Sequence, residues 1–163
     1  MAGLEDLYRE IILDHYRSPR NRGELETPPA HRAEGFNPLC GDEIVVYLDL
    51  SDADDPDQRV IRDIRIGGQG CSISQSSASM MSAAVKGKTV AEAHELMRAF
   101  KAMMSIHEQS LEEDGVEAEI EMPEIALGDL EALRGVVKFP VRIKCATLSW
   151  NTLDQGIVES VSS

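Results

Sequence analysis

The chain has 163 residues, of which 42% are hydrophobic, so it is long enough for one domain with a real core. Sixteen basic residues against 29 acidic ones give a formal net charge of −13, which repels phosphate backbones and anionic membranes. We therefore expect a single domain over residues 1–163 that binds neither nucleic acid nor a membrane surface.

The amino-terminal segment carries Glu5, Asp6 and Glu10 where a secretory signal needs basic residues followed by an apolar run. The apolar runs of the chain, such as Ile44–Leu48, are far shorter than the roughly 20 residues that cross a bilayer. These features predict a cytoplasmic protein. Its three cysteines cannot all pair with one another, and in a reducing compartment an odd number points to thiol or metal chemistry.

The first half of the chain is predicted to form one helix and an antiparallel pair of strands. Apolar residues at helical spacing predict a helix that starts near Leu4 and ends before Pro19, because a proline disfavours helical geometry in the residue before it. Residues 20–38 are rich in glycine and proline, so we expect an irregular segment with at most a short edge strand. Alternating residues predict the two strands, Ile44–Leu50 and Val60–Ile66, joined by a solvated acidic loop. In the second strand, Arg62 is expected to interrupt the apolar face.

The second half is predicted to be mainly helical. A helix is expected from near Cys71 to Gly87, and the capping box Thr89-Val90-Ala91-Glu92 begins another helix. That helix has an apolar face made of Ala93, Leu96, Met97, Phe100 and Met103 or Met104.

Three further features complete the second half. His107–Glu124 holds eight carboxylates and no lysine or arginine, which favours an extended or mobile loop. A short helical segment, Asp129–Arg134, and a turn at Pro140 precede a final helix over Cys145–Val161, with Gly156 as its weak point. A small antiparallel sheet followed by helices is an α+β arrangement.

The surroundings of the three cysteines suggest metal ligands. Cys40 and Asp42 flank a glycine whose conformational freedom lets both side chains point at one ion. Cys71 follows Gly-x-Gly at a predicted helix N-terminus, where N–H groups favour the thiolate, and Cys145 is also predicted to begin a helix. Three thiolates and one carboxylate would supply the four tetrahedral ligands of zinc. Spacing alone, without any CxxC pair, favours three buried and inert cysteines over metal ligands.

The motifs around these residues resemble a known family. Five strings occur in order: LYREIILDHYRSPRNRG, NPLCGDEI, GQGCSISQSSASMM, LGDLEALRGV and KFPVRIKCATLSW. Together they resemble the SufU family, the zinc-dependent sulfur-transfer relatives of the IscU and NifU scaffold proteins, over nearly the whole chain. The resemblance implies the fold of those proteins, in which helices pack on one side of a three-stranded antiparallel sheet and the metal site lies at one end.

The same resemblance implies the chemistry of the site. The zinc ligands would be Cys40, Asp42, Cys71 and Cys145, and Cys40 would be the cysteine that accepts persulfide sulfur. Scaffold members carry a histidine before the third cysteine and an LPPVK motif, whereas this chain has Lys144 and KFPVRIKC. The segment between Gly87 and Cys145 also has the longer, SufU-like form. Both departures favour sulfur transfer over cluster scaffolding. A scaffold that assembles a [2Fe-2S] cluster and a zinc-stabilised binding module are the alternatives.

The implied partners are a pyridoxal-phosphate-dependent cysteine desulfurase, which is SufS-like, and a SufBCD-like cluster-assembly complex downstream. Tyr8 and His15 lie in the part of the first helix that resembles the desulfurase-facing region, although the position of His15 at the end of an apolar face favours a structural role. Arg142, three residues before Cys145, could pair with a carboxylate near the metal, and a plain surface arginine is equally compatible with the sequence.

Overall fold

The structure of the protein is a computed structural model that describes residues 4–27, 30–38, 41–112 and 128–162. Seven main elements follow one another along the chain: α1 (Leu4–Arg17), β1 (His31–Asn37), β2 (Asp42–Leu50), β3 (Ile61–Gln69), α2 (Ser72–Val85), α3 (Val90–Glu112) and α4 (Pro140–Ser162). Two 3-10 segments, Pro56–Gln58 and Gly128–Lys138, lie between them. Within these described ranges, no helix is both long and apolar enough to cross a membrane.

The three strands form one antiparallel sheet in the order β1-β2-β3, with β2 in the centre. One face of the sheet buries apolar side chains of β2 and β3, among them Val46, Leu48 and Ile64. Helix α4 packs against β1 and β2, and α2 packs against β3. The α+β architecture with a three-stranded antiparallel sheet is therefore confirmed.

A β-bulge changes which residues of β3 face the core. Asp49 pairs with Asp63 but Leu50 pairs with Ile61, so Arg62 is the extra residue on its strand. The bulge reverses the alternation of inward-facing and outward-facing residues along β3. Ile61 is therefore fully buried, whereas Arg62 is exposed and donates a hydrogen bond to Asp49 at 2.9 Å. The expectation that Val60 and an interrupting Arg62 share the apolar face of Ile64 was wrong for this reason.

The segment before the first cysteine contains a longer strand than expected. β1 has seven residues and forms the edge of the sheet, and its Gly35 pairs with Ile44. A Cβ at Gly35 would overlap the Thr152 hydroxyl of α4 and lie 2.9 Å from Ile44 Cγ2. Gly156, expected to be a weak point of the last helix, has a related role, since a Cβ there would lie 2.9 Å from Leu48 Cδ1. Both glycines let α4 lie close to the sheet.

We expect Gly35→Ala to lower the free energy of unfolding by about 2 kcal/mol, because the added methyl group forces α4 away from β1. Gly67→Ala is the matched control, since its Cβ would meet only Val45 Cβ at an ordinary 3.9 Å. Urea denaturation of the two variants measures the difference. Equal stability of the two would show that α4 does not need the close approach at Gly35.

Most helix ends lie close to the residues predicted from the sequence. α1 ends before Pro19 as expected, and the capping box of α3 forms in both directions, with hydrogen bonds of 3.2 Å from the Thr89 N–H to Glu92 and 3.1 Å from the Glu92 N–H to Thr89 Oγ1. The backbone hydrogen bond from Thr89 lowers the pKa of the Glu92 carboxyl. The predicted apolar face of α3, from Ala93 to Met104, is buried.

Helix α3 continues further than the acidic composition suggested. It ends at Glu112, so the first six residues of His107–Glu124 are helical rather than extended. Extending an established helix by one residue costs far less than starting a new one, and this part of the sequence contains only two of the eight carboxylates. Residues 113–124, where the other carboxylates lie, are outside the described residues.

Helix α4 begins at Pro140, five residues before the predicted start at Cys145. The expectation of a turn at Pro140 was wrong because proline suits the first position of a helix, where no N–H partner is required. Cys145 therefore lies in the second turn of α4. The preceding 3-10 segment includes the predicted helical residues Asp129–Arg134 and extends to Lys138.

Candidate metal centre

Asp42, Cys71 and Cys145 meet at one end of the sheet. A ligand atom from each lies within 4.8 Å of the other two. The three residues come from different elements: the start of β2, the residue before α2, and the second turn of α4. Zinc bonds of about 2.0–2.3 Å place tetrahedral ligand atoms roughly 3.3–3.8 Å apart, so small rotations of these side chains would close the set on one ion. Cys40 lies outside the described residues.

Asp42 has one carboxylate oxygen engaged and one without a partner. The side chain is completely buried, and its Oδ1 accepts the Cys71 N–H at 2.9 Å. Within the part of the chain that the structure describes, Oδ2 has no hydrogen-bond partner. A buried carboxylate oxygen without a partner is costly unless a cation or a proton compensates it. The donor set therefore fits a bound metal ion, to which Oδ2 would be the available ligand atom.

Gly70, the residue before Cys71, leaves room for the Asp42 carboxylate because it has no side chain. A Cβ at this position would lie 2.5 Å from Asp42 Oδ1 and 3.1 Å from its Cγ. Any other residue at position 70 would therefore push the Asp42 carboxylate away from the Cys71 N–H. The Gly-x-Gly sequence before Cys71 thus has a steric role as well as a conformational one.

Cys71 is the N-cap of α2, as predicted from its position after Gly-x-Gly. Its backbone is extended, and its Sγ accepts the Ser74 N–H at 3.4 Å. The sulfur therefore lies at the end of a 14-residue helix where N–H groups stabilise negative charge. Cys71 is partly exposed, whereas Asp42 and Cys145 are fully buried. Of these three side chains, Cys71 is the one that solvent can reach.

Cys145 is held differently from the prediction. It lies inside α4 rather than at its start, so its sulfur does not have the first-turn N–H groups that Cys71 has. Asn37 Nδ2 approaches Cys145 Sγ at 3.8 Å, a long contact that supplies one donor to this sulfur. No sequence motif pointed to Asn37, although it stands opposite Asp42 in the β1–β2 pair. The only signal available was its position just before the cysteine motif.

The remaining predicted site residues, Tyr8, His15 and Arg142, lie in two separate parts of the structure. Tyr8 and Arg142 line a groove of about 820 Å³, together with Ser72 and Ile73, which directly follow Cys71. Phe139, whose exposed fraction is 62%, lies in the same groove. The structure therefore brings Tyr8 and Arg142 together beside the Cys71 end of α2. Their roles toward a partner stay predictions.

His15 lies in a separate buried network. Its Nε2 bonds to the Asp129 carboxylate at 2.9 Å and its Nδ1 to Ser79 Oγ at 2.8 Å, and the residue is only 2% exposed. Ser79 Oγ also accepts the Arg20 N–H at 2.8 Å. The imidazole thus links α1 to α2 and to the 3-10 segment after Gly128, and it does not line the groove that holds Tyr8.

Comparisons with known proteins show which family the chain resembles over nearly its whole length. Residues 7–146 match the family model described as the NifU-like N terminal domain. The zinc-dependent sulfurtransferase SufU of Bacillus subtilis is 43% identical over 97% of this chain and 94% of its own length. The iron-sulfur cluster assembly scaffold protein IscU of Streptococcus pyogenes is 36% identical over 100% of this chain and 90% of its own length.

A solved structure shows the same fold. The putative iron-sulfur cluster assembly scaffold protein for the SUF system from Fervidobacterium islandicum superposes with a TM-score of 0.69 at 31% identity, covering 95% of this chain and 99% of that chain. The matched family model covers most of the chain, and the relatives match it over nearly their whole length. The chain therefore belongs to the NifU-like N-terminal domain family, as its resemblance to the SufU and IscU proteins predicted.

Proposed function

We propose that this protein is a sulfur carrier for iron-sulfur cluster assembly and that it holds zinc through Cys40, Asp42, Cys71 and Cys145. The observation that carries the proposal is the buried Asp42 carboxylate, which has a ligand atom within 4.8 Å of two thiols and whose Oδ2 has no hydrogen-bond partner among the described residues. A set of thiolates with one carboxylate suits zinc. Bound there, zinc would keep its cysteine ligands in the thiolate form. The identity of 43% with a protein named as a zinc-dependent sulfurtransferase supports the same assignment.

In the proposed reaction, Cys40 is the residue that receives sulfur. Its thiolate attacks the outer sulfur of a persulfide on the desulfurase cysteine, so that a new S–S bond forms on Cys40 and the desulfurase cysteine leaves as a thiolate. One disulfide-type bond replaces another, so no external oxidant or reductant is needed. The sulfur then passes from Cys40 to an acceptor thiolate of the SufBCD-like cluster-assembly complex by the same exchange.

The other two cysteines are less suited to this role. Cys145 is completely buried in α4, so a second protein cannot reach its sulfur without opening the fold. The Cys71 sulfur already accepts the Ser74 N–H, and its backbone caps α2. Both residues are therefore proposed as ligands that stay in place while Cys40 reacts.

The groove that contains Tyr8 and Arg142 is proposed as part of the surface that meets the SufS-like desulfurase. It lies next to Ser72, directly after Cys71, so a protein seated there would be close to the sulfur-handling end of the sheet. Phe139 and Val141 are 62% and 60% exposed on the adjacent segment, and exposed apolar side chains of this size favour a protein partner. His15 would act indirectly in this surface, by holding α1 against α2.

A scaffold function is the second candidate, because the Streptococcus pyogenes relative is named as a cluster assembly scaffold protein. The same ligands could hold a [2Fe-2S] cluster in that case. Protein purified without oxygen distinguishes the two proposals. A colourless protein with one tightly bound zinc supports the carrier, whereas a brown protein with visible absorption supports the scaffold.

The test of the carrier is to locate the transferred sulfur. After reaction with a SufS-like desulfurase and cysteine, mass spectrometry should find one added sulfur atom on the peptide that contains Cys40. Cys40→Ser should abolish this addition while Asp42, Cys71 and Cys145 retain some zinc. Sulfur found only on Cys71 or Cys145, or full sulfur acceptance by Cys40→Ser, would contradict the proposal.

A further inference from the structure

Arg22 bridges the two sides of the turn that carries Cys71. Its Nη2 donates to the Gly68 carbonyl at the end of β3, at 2.8 Å. Its Nη1 donates to Gln75 Oε1 in the first turn of α2, at 3.0 Å. Cys71 lies between these two points, and its carbonyl accepts the Gln75 N–H at 3.0 Å. One guanidinium therefore spans the whole turn from the sheet to the helix.

The backbone around Arg22 is itself fixed, so the side chain extends from a defined position. The Ile66 N–H donates to the Asn21 carbonyl at 2.9 Å, and the Gly23 N–H donates to the Ile66 carbonyl at 3.1 Å. These two bonds add a short parallel pairing to the outer edge of β3. On the other side, the Arg20 N–H donates to Ser79 Oγ of α2 at 2.8 Å. The segment is thus attached to both elements that Arg22 bridges.

The turn needs to be held in place because the Asp42–Cys71 contact depends on it. Gly68 adopts a φ of +104°, and a Cβ there would overlap the Glu43 backbone. The chain therefore enters the turn in close contact with the backbone of β2. Gly70 then lies against the Asp42 carboxylate, which accepts the Cys71 N–H. A small displacement of the turn would lengthen that hydrogen bond and move the Cys71 sulfur away from Asp42 and Cys145.

We propose that Arg22 is a positioning residue that holds Cys71 in the geometry required for metal binding. The inference rests on the metal site of the proposed function and adds a residue that the ligand motifs do not contain. A planar guanidinium suits this role because two of its nitrogens reach two acceptors at a fixed angle, whereas a lysine ammonium is a single point on a flexible stem. Residues that orient metal ligands commonly change metal affinity without touching the ion.

The test compares Arg22→Gln and Arg22→Lys with Arg62→Gln, which removes an exposed arginine from the start of β3, at the opposite end of that strand from Gly68. Zinc affinity, measured by competition with a chromophoric chelator, should fall about tenfold in both Arg22 variants. In the zinc-free protein, amide hydrogen exchange at Cys71 should become about tenfold faster, because its bond to Asp42 opens more often. Arg62→Gln should change neither quantity more than about twofold.

Exchange at Cys71 is measured without metal, so failure of this inference is distinguishable from failure of the zinc proposal. Unchanged Cys71 exchange in Arg22→Gln would overturn the inference, even in a protein that binds zinc. Wild-type behaviour of Arg22→Lys would also overturn it, since charge alone would then be sufficient. Equally faster exchange throughout β3 and α2 would show a general stabilising role instead of a local one and would contradict it as well.

Discussion

Removal of zinc is expected to lower the melting temperature by roughly 8–16 °C. Zinc at about a thousand times its dissociation constant stabilises the folded state by about 4 kcal/mol, and each kcal/mol shifts the midpoint of a domain of this size by about 2–4 °C. The structural reason is the cluster of ligand atoms within 4.8 Å of one another, two of them on fully buried residues, which repel when ionised without a cation. Thermal unfolding before and after chelation, with zinc content verified, measures the effect.

Two controls make this result specific. Zinc returned to the chelated protein should restore the original melting temperature, which excludes damage to the thiols. Cys71→Ser, which lacks one proposed ligand, should respond much less to the chelator than the wild type. An unchanged melting curve after verified loss of zinc would rule out a structural metal at Asp42, Cys71 and Cys145.

Asp42→Ala should weaken zinc binding at least tenfold, as estimated from the typical effect of residues that only orient a ligand. The substitution removes both the proposed ligand oxygen Oδ2 and the Oδ1 acceptor of the Cys71 N–H. Asp54→Ala is the matched control, because Asp54 is an exposed aspartate in the loop between β2 and β3. Competition with a chromophoric chelator gives the affinity of each variant.

Asp42→Asn separates the two roles of the side chain. The amide oxygen can still accept the Cys71 N–H, so the turn before α2 should stay in place, but the negative charge is lost. Zinc affinity should therefore fall in Asp42→Asn while amide exchange at Cys71 remains close to that of the wild type. If Asp42→Ala and Asp54→Ala retained zinc equally well, Asp42 would not be a ligand.

Local patterns in the sequence determined the elements of this protein where neighbouring residues set the backbone geometry. Pro19 stops α1, the Thr89–Glu92 capping box starts α3, and Cys71 after Gly-x-Gly caps α2. These features depend on contacts a few residues apart, so a single stretch of sequence contains the whole cause. The five motifs likewise predicted the family, which the comparisons confirmed.

Local patterns were misleading where tertiary packing determines which of two possible local structures forms. The alternation in β3 pointed to Val60, but the bulge at Arg62 turns Ile61 into the core because the register with β2 changes there. The start of α4 at Pro140 was equally undetermined, since a proline near a helix N-terminus suits both a turn and a first helical residue. Gly156 suggested a weak helix until its contact with Leu48 showed a packing role.

The metal centre shows the same division most clearly. The sequence by itself named Asp42, Cys71 and Cys145 as candidates, and the same spacing allowed inert buried cysteines. Only the tertiary structure brought a ligand atom of each within 4.8 Å of the others and left Asp42 Oδ2 without a partner among the described residues. The physical reason is that α2 and α4 pack against different strands and against each other, so the meeting of their cysteines depends on the core as a whole. The contact between Asn37 and Cys145, 108 residues apart, likewise has no local signal in the chain.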